Sequence, residues 1–157
     1  MMKRLATSLC LVAGLAAAPF GAAVLAAPPV VTETALADTI RGAIEARDYD
    51  AMEELVFWKD AGTIKKRIVA FQIRSGLGRK VASLTVEPFD QHVLDRMLAD
   101  GRHTLNLPVS HIVRVVYDEP AVDATGKPPT SVFLAGRKDD AFRIALVVRN
   151  FDEDDDD

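Results

Sequence analysis

Apolar residues recur at helical spacing through the first half of the chain and alternate with polar residues through most of the second half. The helical spacing predicts helices over residues 34–47, 50–56, 60–75 and 90–100. The alternation predicts strands over residues 81–87, 104–107, 109–118, 131–137 and 141–149. The predicted fold class is therefore α+β, with N-terminal helices packed on a curved, mainly antiparallel sheet in a single domain.

Local patterns within these elements assign faces and helix ends. Ile64, Ile68 and Phe71 line one side of the third predicted helix and form its apolar face. Asp50, with Glu53 three residues later, is the predicted cap of the second helix. The last two strands form a predicted hairpin across residues 138–140. Alternation divides the first strand into two faces, Ala82, Leu84 and Val86 on the apolar one and Val81, Ser83, Thr85 and Glu87 on the more polar one.

The N-terminal residues have the three parts of an export signal. Lys3 and Arg4 supply positive charge, an uncharged run rich in Ala and Leu follows, and Val24–Ala26 places small side chains at the cleavage positions. Cleavage after residue 26 by general secretion predicts a periplasmic or extracellular protein. The alternative is an uncleaved anchor, because the uncharged stretch extends to Thr32. Its Ala, Gly and Pro content disfavours stable membrane insertion.

The distribution of charge follows the predicted division of the chain. That division is a signal peptide (1–26), an extended leader (27–33), an α+β roll domain (34–151) and a disordered acidic tail (152–157). Of the 19 basic residues, Lys3 and Arg4 leave with the signal, so 17 remain against 23 acidic residues, a net charge of −6. The six acidic residues of the tail account for this charge and leave a neutral body. We therefore expect no nucleic-acid partner, and we expect the small basic clusters at 65–67 and 79–80 to be solvated.

Residues that carry familiar chemistry are scarce. Cys10 is the only cysteine and lies in the signal, so the mature chain has no cysteine nucleophile, disulfide or cysteine-based zinc site. His92, His103 and His111 are spaced by eleven and eight residues, which does not suit a local metal site. The sequence contains no phosphate-binding loop, dinucleotide fingerprint or Gly-x-Ser-x-Gly elbow. We predict no metal and no cofactor, and we assign no catalytic residue.

Four residues are candidates for ligand binding. His111 and Tyr117 share the apolar face of their predicted strand, where they are either polar anchors of a hydrophobic pocket or core residues bonded to the backbone. Glu87 lies on the more polar face of its strand, which either closes over a pocket or faces solvent. Trp58 belongs to a hydrophobic corner after the second helix.

The segment Ile44–Met52, with the sequence Ile-Glu-Ala-Arg-Asp-Tyr-Asp-Ala-Met, is similar to the end of the first helix in the nuclear transport factor 2-like superfamily. The order of predicted elements over most of residues 34–150 also resembles that superfamily, which includes SnoaL-like polyketide cyclases and relatives of ketosteroid isomerase. The resemblance implies an α+β roll. Its enzymes are expected to use a pocket carboxylate as general base, but no residue here lies in a motif that inherits this role. A cystatin-like arrangement of a helix on a sheet is an alternative.

These observations favour binding over catalysis. The predicted function is an exported domain that binds a small apolar ligand or a peptide in a cavity between helices and sheet. An envelope interaction module that forms a homodimer through its sheet is a close second. The alternative is an isomerase- or cyclase-like enzyme with Glu87 or His111 as base and Tyr117 as donor, which requires these side chains to converge on one cavity.

Overall fold

The computed structural model describes residues 28–121 and 126–149. The predicted signal peptide and the predicted acidic tail lie outside these residues. The elements in chain order are α1 (Glu33–Ala46), α2 (Tyr49–Leu55), α3 (Thr63–Gly76), β1 (Val81–Pro88), α4 (Gln91–Met97), β2 (His103–Leu105), β3 (His111–Tyr117), β4 (Thr130–Lys138), β5 (Ala141–Ala145) and β6 (Val147–Arg149).

The strands form an open antiparallel sheet with helices on it. Its four strands lie in the order β1-β3-β4-β5, and β2 pairs with β6 in a separate two-stranded sheet. The predicted α+β class, with N-terminal helices on a mainly antiparallel sheet, is confirmed. Among the described residues, no helix has the length and apolar content needed to cross a membrane.

Helix α1 packs on β1 at the inner face of the sheet. The Thr32 hydroxyl accepts a hydrogen bond from the Ala35 amide at 3.1 Å, which caps the helix, and Arg47 ends it in a left-handed conformation with φ of 61°. One apolar stripe of α1 packs against β1 and is buried by Leu36, Ile40, Ala43 and Ile44. The leader residue Val30 also joins the core, where its carbonyl accepts from the Phe142 amide at 2.7 Å.

Helix α2 begins two residues earlier than the predicted cap allows. Asp48 is the N-cap, and its carboxylate accepts from the Ala51 amide at 3.0 Å. The prediction that Asp50 and Glu53 form the capping pair is therefore wrong. The reason is the left-handed Arg47, which reverses the chain within one residue and leaves Asp48 in the extended conformation that a cap requires.

A β-bulge near the start of β1 changes which side chains face inward. Val81 pairs with Tyr117, but Ser83 pairs with the preceding residue of β3, Val116. The extra residue turns Val81 into the core and leaves Ala82 exposed. The prediction that Ala82 lies on the apolar face, and Val81 on the polar one, is wrong for this reason.

Both faces of the sheet carry apolar clusters. The larger cluster fills the space between the helices and the inner face, where Tyr117 and Phe142 are the largest fully buried side chains. A smaller cluster joins α4 and the segment before β3 to the outer face at the β4–β5 end, and its buried members are Leu94, Leu107, Val109 and Ala145. The chain passes so close to β4 here that a Cβ on Gly136 would meet the Pro108 carbonyl.

The predicted hairpin is present, but its predicted second strand, residues 141–149, is divided into β5 and β6. Asp139 and Asp140 both have positive φ, as the tight turn between β4 and β5 requires. At Leu146 the pairing changes from β4 to β2. Asn106 fixes this break, because its backbone amide donates to the Leu146 carbonyl at 3.1 Å and its side-chain oxygen accepts from the Leu146 amide at 2.8 Å.

Candidate functional site

The outward side of α3 exposes a row of large apolar side chains. Ile64, Ile68 and Phe71 are 74%, 48% and 72% exposed. Their spacing of four and three residues places them in line along one face of the helix. The residues that pack into the core, Val69 and Ile73, lie on the opposite side. The apolar face that the sequence spacing identifies is therefore the exposed one.

Helix α3 is also strongly basic. It contains Lys65, Lys66, Arg67 and Arg74 and no acidic residue. The Arg74 guanidinium lies over the Tyr49 ring, 4.4 Å from its centroid. None of the ion pairs within the described parts of the chain includes the three cations of the first half of the helix. We call the row of apolar side chains and these four cations the α3 surface.

Three clefts among the described residues border α3. The first, of about 540 Å³, separates the start of the helix from β6, and its walls include Ile64, Ile68, Val147 and Val148. We call it the β6 cleft. The second, of about 410 Å³, lies between α3 and β4 above the half-buried Phe133.

The third cleft, of about 870 Å³, lies between α2 and α3 and contains one of the predicted site residues. Trp58 is half-buried in its wall and donates from its indole nitrogen to the Glu53 carbonyl at 3.2 Å. The Tyr49 hydroxyl donates to the Glu53 carboxylate at 3.1 Å. Burial, and then the bond to Glu53, raise the pKa of Tyr49. Lys66 and Arg67 face these groups across the cleft, so it is lined by opposite charges.

His111 connects the start of α1 to β3. One ring nitrogen lies 2.8 Å from the Ser110 hydroxyl and the other lies 3.0 Å from the Glu33 carboxylate. The ring meets Phe142 edge-on, with 5.2 Å between centroids. His111 lines none of the three clefts, and its contacts are those of a residue that orients neighbouring elements.

Tyr117 is a core residue with a satisfied hydroxyl. Its hydroxyl lies 2.9 Å from that of Ser131, and the Arg79 guanidinium covers its ring at 3.8 Å from the centroid. Glu119 accepts two hydrogen bonds from Arg79, each at 2.7 Å. This paired contact lowers the pKa of Glu119 and raises the pKa of Arg79.

Glu87 is exposed and lies on the outer face of the sheet. It pairs with Ile112 in the register of β1 and β3, whereas His111 pairs with Pro88. Because directly paired residues share a face and consecutive residues alternate, Glu87 and His111 lie on opposite faces. The structure therefore does not bring Glu87, His111 and Tyr117 to one cavity. No group of three or more His, Asp or Glu side chains within residues 28–121 and 126–149 is arranged to hold a metal ion.

Comparisons with known proteins give no relative from which a function can be transferred. No protein-family model, no curated protein and no solved structure matches the chain. The α3 surface and its clefts are therefore interpreted from their own geometry.

The residues of the α3 surface are the ones that site prediction from the sequence missed. Two signals were present in the sequence. Helix α3 has a second pair of apolar residues, Val69 and Ile73, on the side opposite Ile64 and Phe71. One apolar face therefore packs in the core, and the other is exposed. Lys65, Arg67 and Arg74 also flank the exposed face, and the helix contains no acidic residue.

Proposed function

We propose that this protein is an exported binding module that uses the α3 surface and the β6 cleft to hold a peptide segment of a partner protein. The peptide carries apolar side chains and carboxylates. The observation that supports this proposal is the line of three exposed apolar side chains, Ile64, Ile68 and Phe71, on a helix whose core side is already packed. Exposed apolar rows of this kind mark interaction sites.

The apolar row supplies a driving force. Burying one Ile or Phe side chain contributes about 1.5–3 kcal/mol before the costs of association are subtracted. The β6 cleft lies beside Ile64 and Ile68, and its volume of about 540 Å³ accommodates apolar side chains of a peptide. The interior between α1 and the sheet is filled by fully buried side chains, so the open clefts along α3 are better ligand sites than that interior.

The charge of α3 selects the chemistry of the partner. Four cations and no acidic residue on one helix favour a peptide with Asp or Glu side chains. The same charges oppose the pairing of two α3 helices from two copies of the chain, because Lys65, Lys66 and Arg67 would face each other. Charge complementarity therefore favours an acidic partner over a second copy on this surface.

The outer sheet face is a weaker candidate for association. Val132 is 49% exposed there, but its neighbours in register are Arg114 and Thr85, so this row is not a continuous apolar surface. Homodimerisation through the sheet stays a prediction, as do the export signal and membership of the nuclear transport factor 2-like superfamily.

The proposal is tested with a short labelled peptide of alternating Leu and Glu, compared with one of alternating Leu and Lys. Fluorescence anisotropy should show binding of the acidic peptide only. Phe71→Ser should weaken binding by about tenfold, which corresponds to about 1.4 kcal/mol and to part of one buried aromatic side chain. Met97→Ser is the matched control, because Met97 is about as exposed as Ile68 but lies at the end of α4 and lines none of the three clefts beside α3.

Three results would overturn the proposal. One is the absence of acidic-peptide binding to a chain that lacks residues 152–157. Another is an equal loss of binding in the Phe71 and Met97 variants. The third is Phe71-dependent binding to phosphatidylglycerol vesicles with none to the peptide, which would make the α3 surface a membrane contact instead.

A further inference from the structure

The described chain ends beside the β6 cleft. Arg149 is the last residue of β6 and lines this cleft together with Ile64 and Ile68 of α3. The residues that follow are Asn150, Phe151 and six consecutive acidic residues. The sequence therefore places an aromatic residue and a block of carboxylates directly after a strand that borders α3.

We infer that residues 150–157 occupy the α3 surface when no partner is bound, with Phe151 against Ile64 and Ile68 and the acidic run along the cations of α3. We call residues 150–157 the C-terminal segment. The inference goes beyond the proposed function because it names an occupant within the same chain. The inference also implies that a partner peptide competes with the C-terminal segment for the α3 surface, and this competition rests on the proposed function.

The lengths are compatible with this arrangement. An extended segment of eight residues spans about 27 Å at roughly 3.4 Å per residue. Helix α3 has 14 residues and is therefore about 21 Å long at 1.5 Å per residue. The C-terminal segment can run along the whole helix from its point of departure at Arg149.

The charges are complementary. The C-terminal segment carries six carboxylates, and α3 carries four cations and no carboxylate. Covalent attachment places the acidic run at an effective concentration in the millimolar range, so weak individual contacts are sufficient for occupancy. Because these contacts are exposed, added salt should weaken them.

A direct test uses nuclear magnetic resonance of the ¹⁵N-labelled full chain without any peptide. The comparison variant replaces each Asp and Glu of residues 152–157 with Asn or Gln, and none of these residues belongs to the described core. The amide signals of Ile64, Ile68 and Phe71 should differ between the two chains at low salt and converge at high salt. The Met97 amide, at the end of α4, is the control and should not change. Unchanged α3 signals would overturn the inference.

A second arm measures competition. Neutralising the acidic run should tighten binding of the Leu–Glu peptide by about tenfold at low salt, and Phe151→Ser should tighten it further. Equal affinity for both chains, with unchanged α3 signals, would overturn the inference while leaving the proposed function intact. Shifted α3 signals with no peptide binding to any chain would overturn the proposed function and support the C-terminal segment as the occupant. Binding of the neutralised chain to anionic vesicles, with no binding of that chain to the peptide, would likewise overturn the proposed function and support the C-terminal segment as the occupant.

Discussion

Helices α1 and α3 have the same length of 14 residues and lie on the same side of the sheet, but they use their apolar residues in opposite ways. In α1, the whole apolar stripe is buried against β1 and the inner sheet face. In α3, only Val69, Ile73 and the terminal Gly76 are buried, and the larger apolar side chains point away from the core.

The N-terminal ends of α1 and α3 also differ in features that affect helix stability. Helix α1 has a side-chain cap from Thr32 and an acidic residue, Glu33, in its first turn. Helix α3 begins at Thr63, and Gly62 at its N-cap position supplies no side-chain cap. Lys65 and Lys66 lie near its positive end, where cations are unfavourable. The sequence of α1 therefore suits stability, and that of α3 retains features that cost stability and suit a binding surface.

The same substitution in both helices gives the largest contrast. Ile40→Ala in α1 should lower the free energy of unfolding by about 2–5 kcal/mol, because it removes a fully buried side chain. Ile64→Ala in α3 should change it by less than about 0.5 kcal/mol, because this side chain is exposed. Chemical denaturation of the two variants measures both values. A large loss for Ile64→Ala would mean that its row is buried in the solution structure and is not a surface.

This contrast also shows for which of the two helices the sequence alone is sufficient to identify the buried face. Helix α1 has one apolar stripe, and this stripe is the one that packs, so helical spacing alone is sufficient to identify its buried face. Helix α3 has two apolar stripes on opposite sides, and helical spacing cannot tell which one packs. The choice depends on which stripe joins the core cluster, whose other members are distant in sequence.

The C-terminal end of α3 is where this helix does touch the core closely. A Cβ on Gly76 would lie 2.7 Å from the Tyr117 hydroxyl oxygen. Gly76→Ala should therefore destabilise the protein by about 1–3 kcal/mol through overpacking, reduced by the better helix propensity of alanine.

A double-mutant cycle isolates this contact. Tyr117→Phe removes the hydroxyl that alanine would meet and also its bond to Ser131, which should cost about 1 kcal/mol by itself. In that background Gly76→Ala should become neutral or stabilising in thermal unfolding. Additive losses would show that the C-terminal end of α3 is not packed on Tyr117.

The ion pair over Tyr117 gives a smaller, pH-dependent effect. The pKa of Glu119 lies below its ordinary value of 4.5, chiefly because of its hydrogen bonds with Arg79. A carboxylate with a lowered pKa in the folded state adds stability above its unfolded pKa, and this contribution is lost as the pH falls through the folded pKa. Stability should therefore fall more steeply below about pH 4.5 in the original chain than in Glu119→Gln, as measured by urea denaturation at several pH values. Parallel curves would exclude this pair as a source of acid sensitivity.

The candidate site was less predictable than the fold. Fold class and hairpin followed from periodicity and turn residues, which are local properties. The positions of Glu87 and His111 on opposite faces depend on the register of β1 against β3, and this register includes a bulge that alternation cannot reveal. Trp58 is the one predicted site residue that lines a described cleft, and its neighbours there, Lys66 and Arg67, come from a different helix.

The missing cap of α3 gives the smallest effect. Gly62 has φ of −67° and an open space where a Cβ would lie, so a side chain fits there without strain. Gly62→Ser should add a hydrogen-bond acceptor for the first turn and raise the free energy of unfolding by a few tenths of a kcal/mol. Thr32→Gly, which removes the cap of α1, should lower it by a similar amount. Because Gly62 also lines the β6 cleft, this variant tests stability and is not a neutral control for peptide binding. Chemical denaturation measures both values, and a loss of stability in Gly62→Ser would show that a serine at this position does not cap α3.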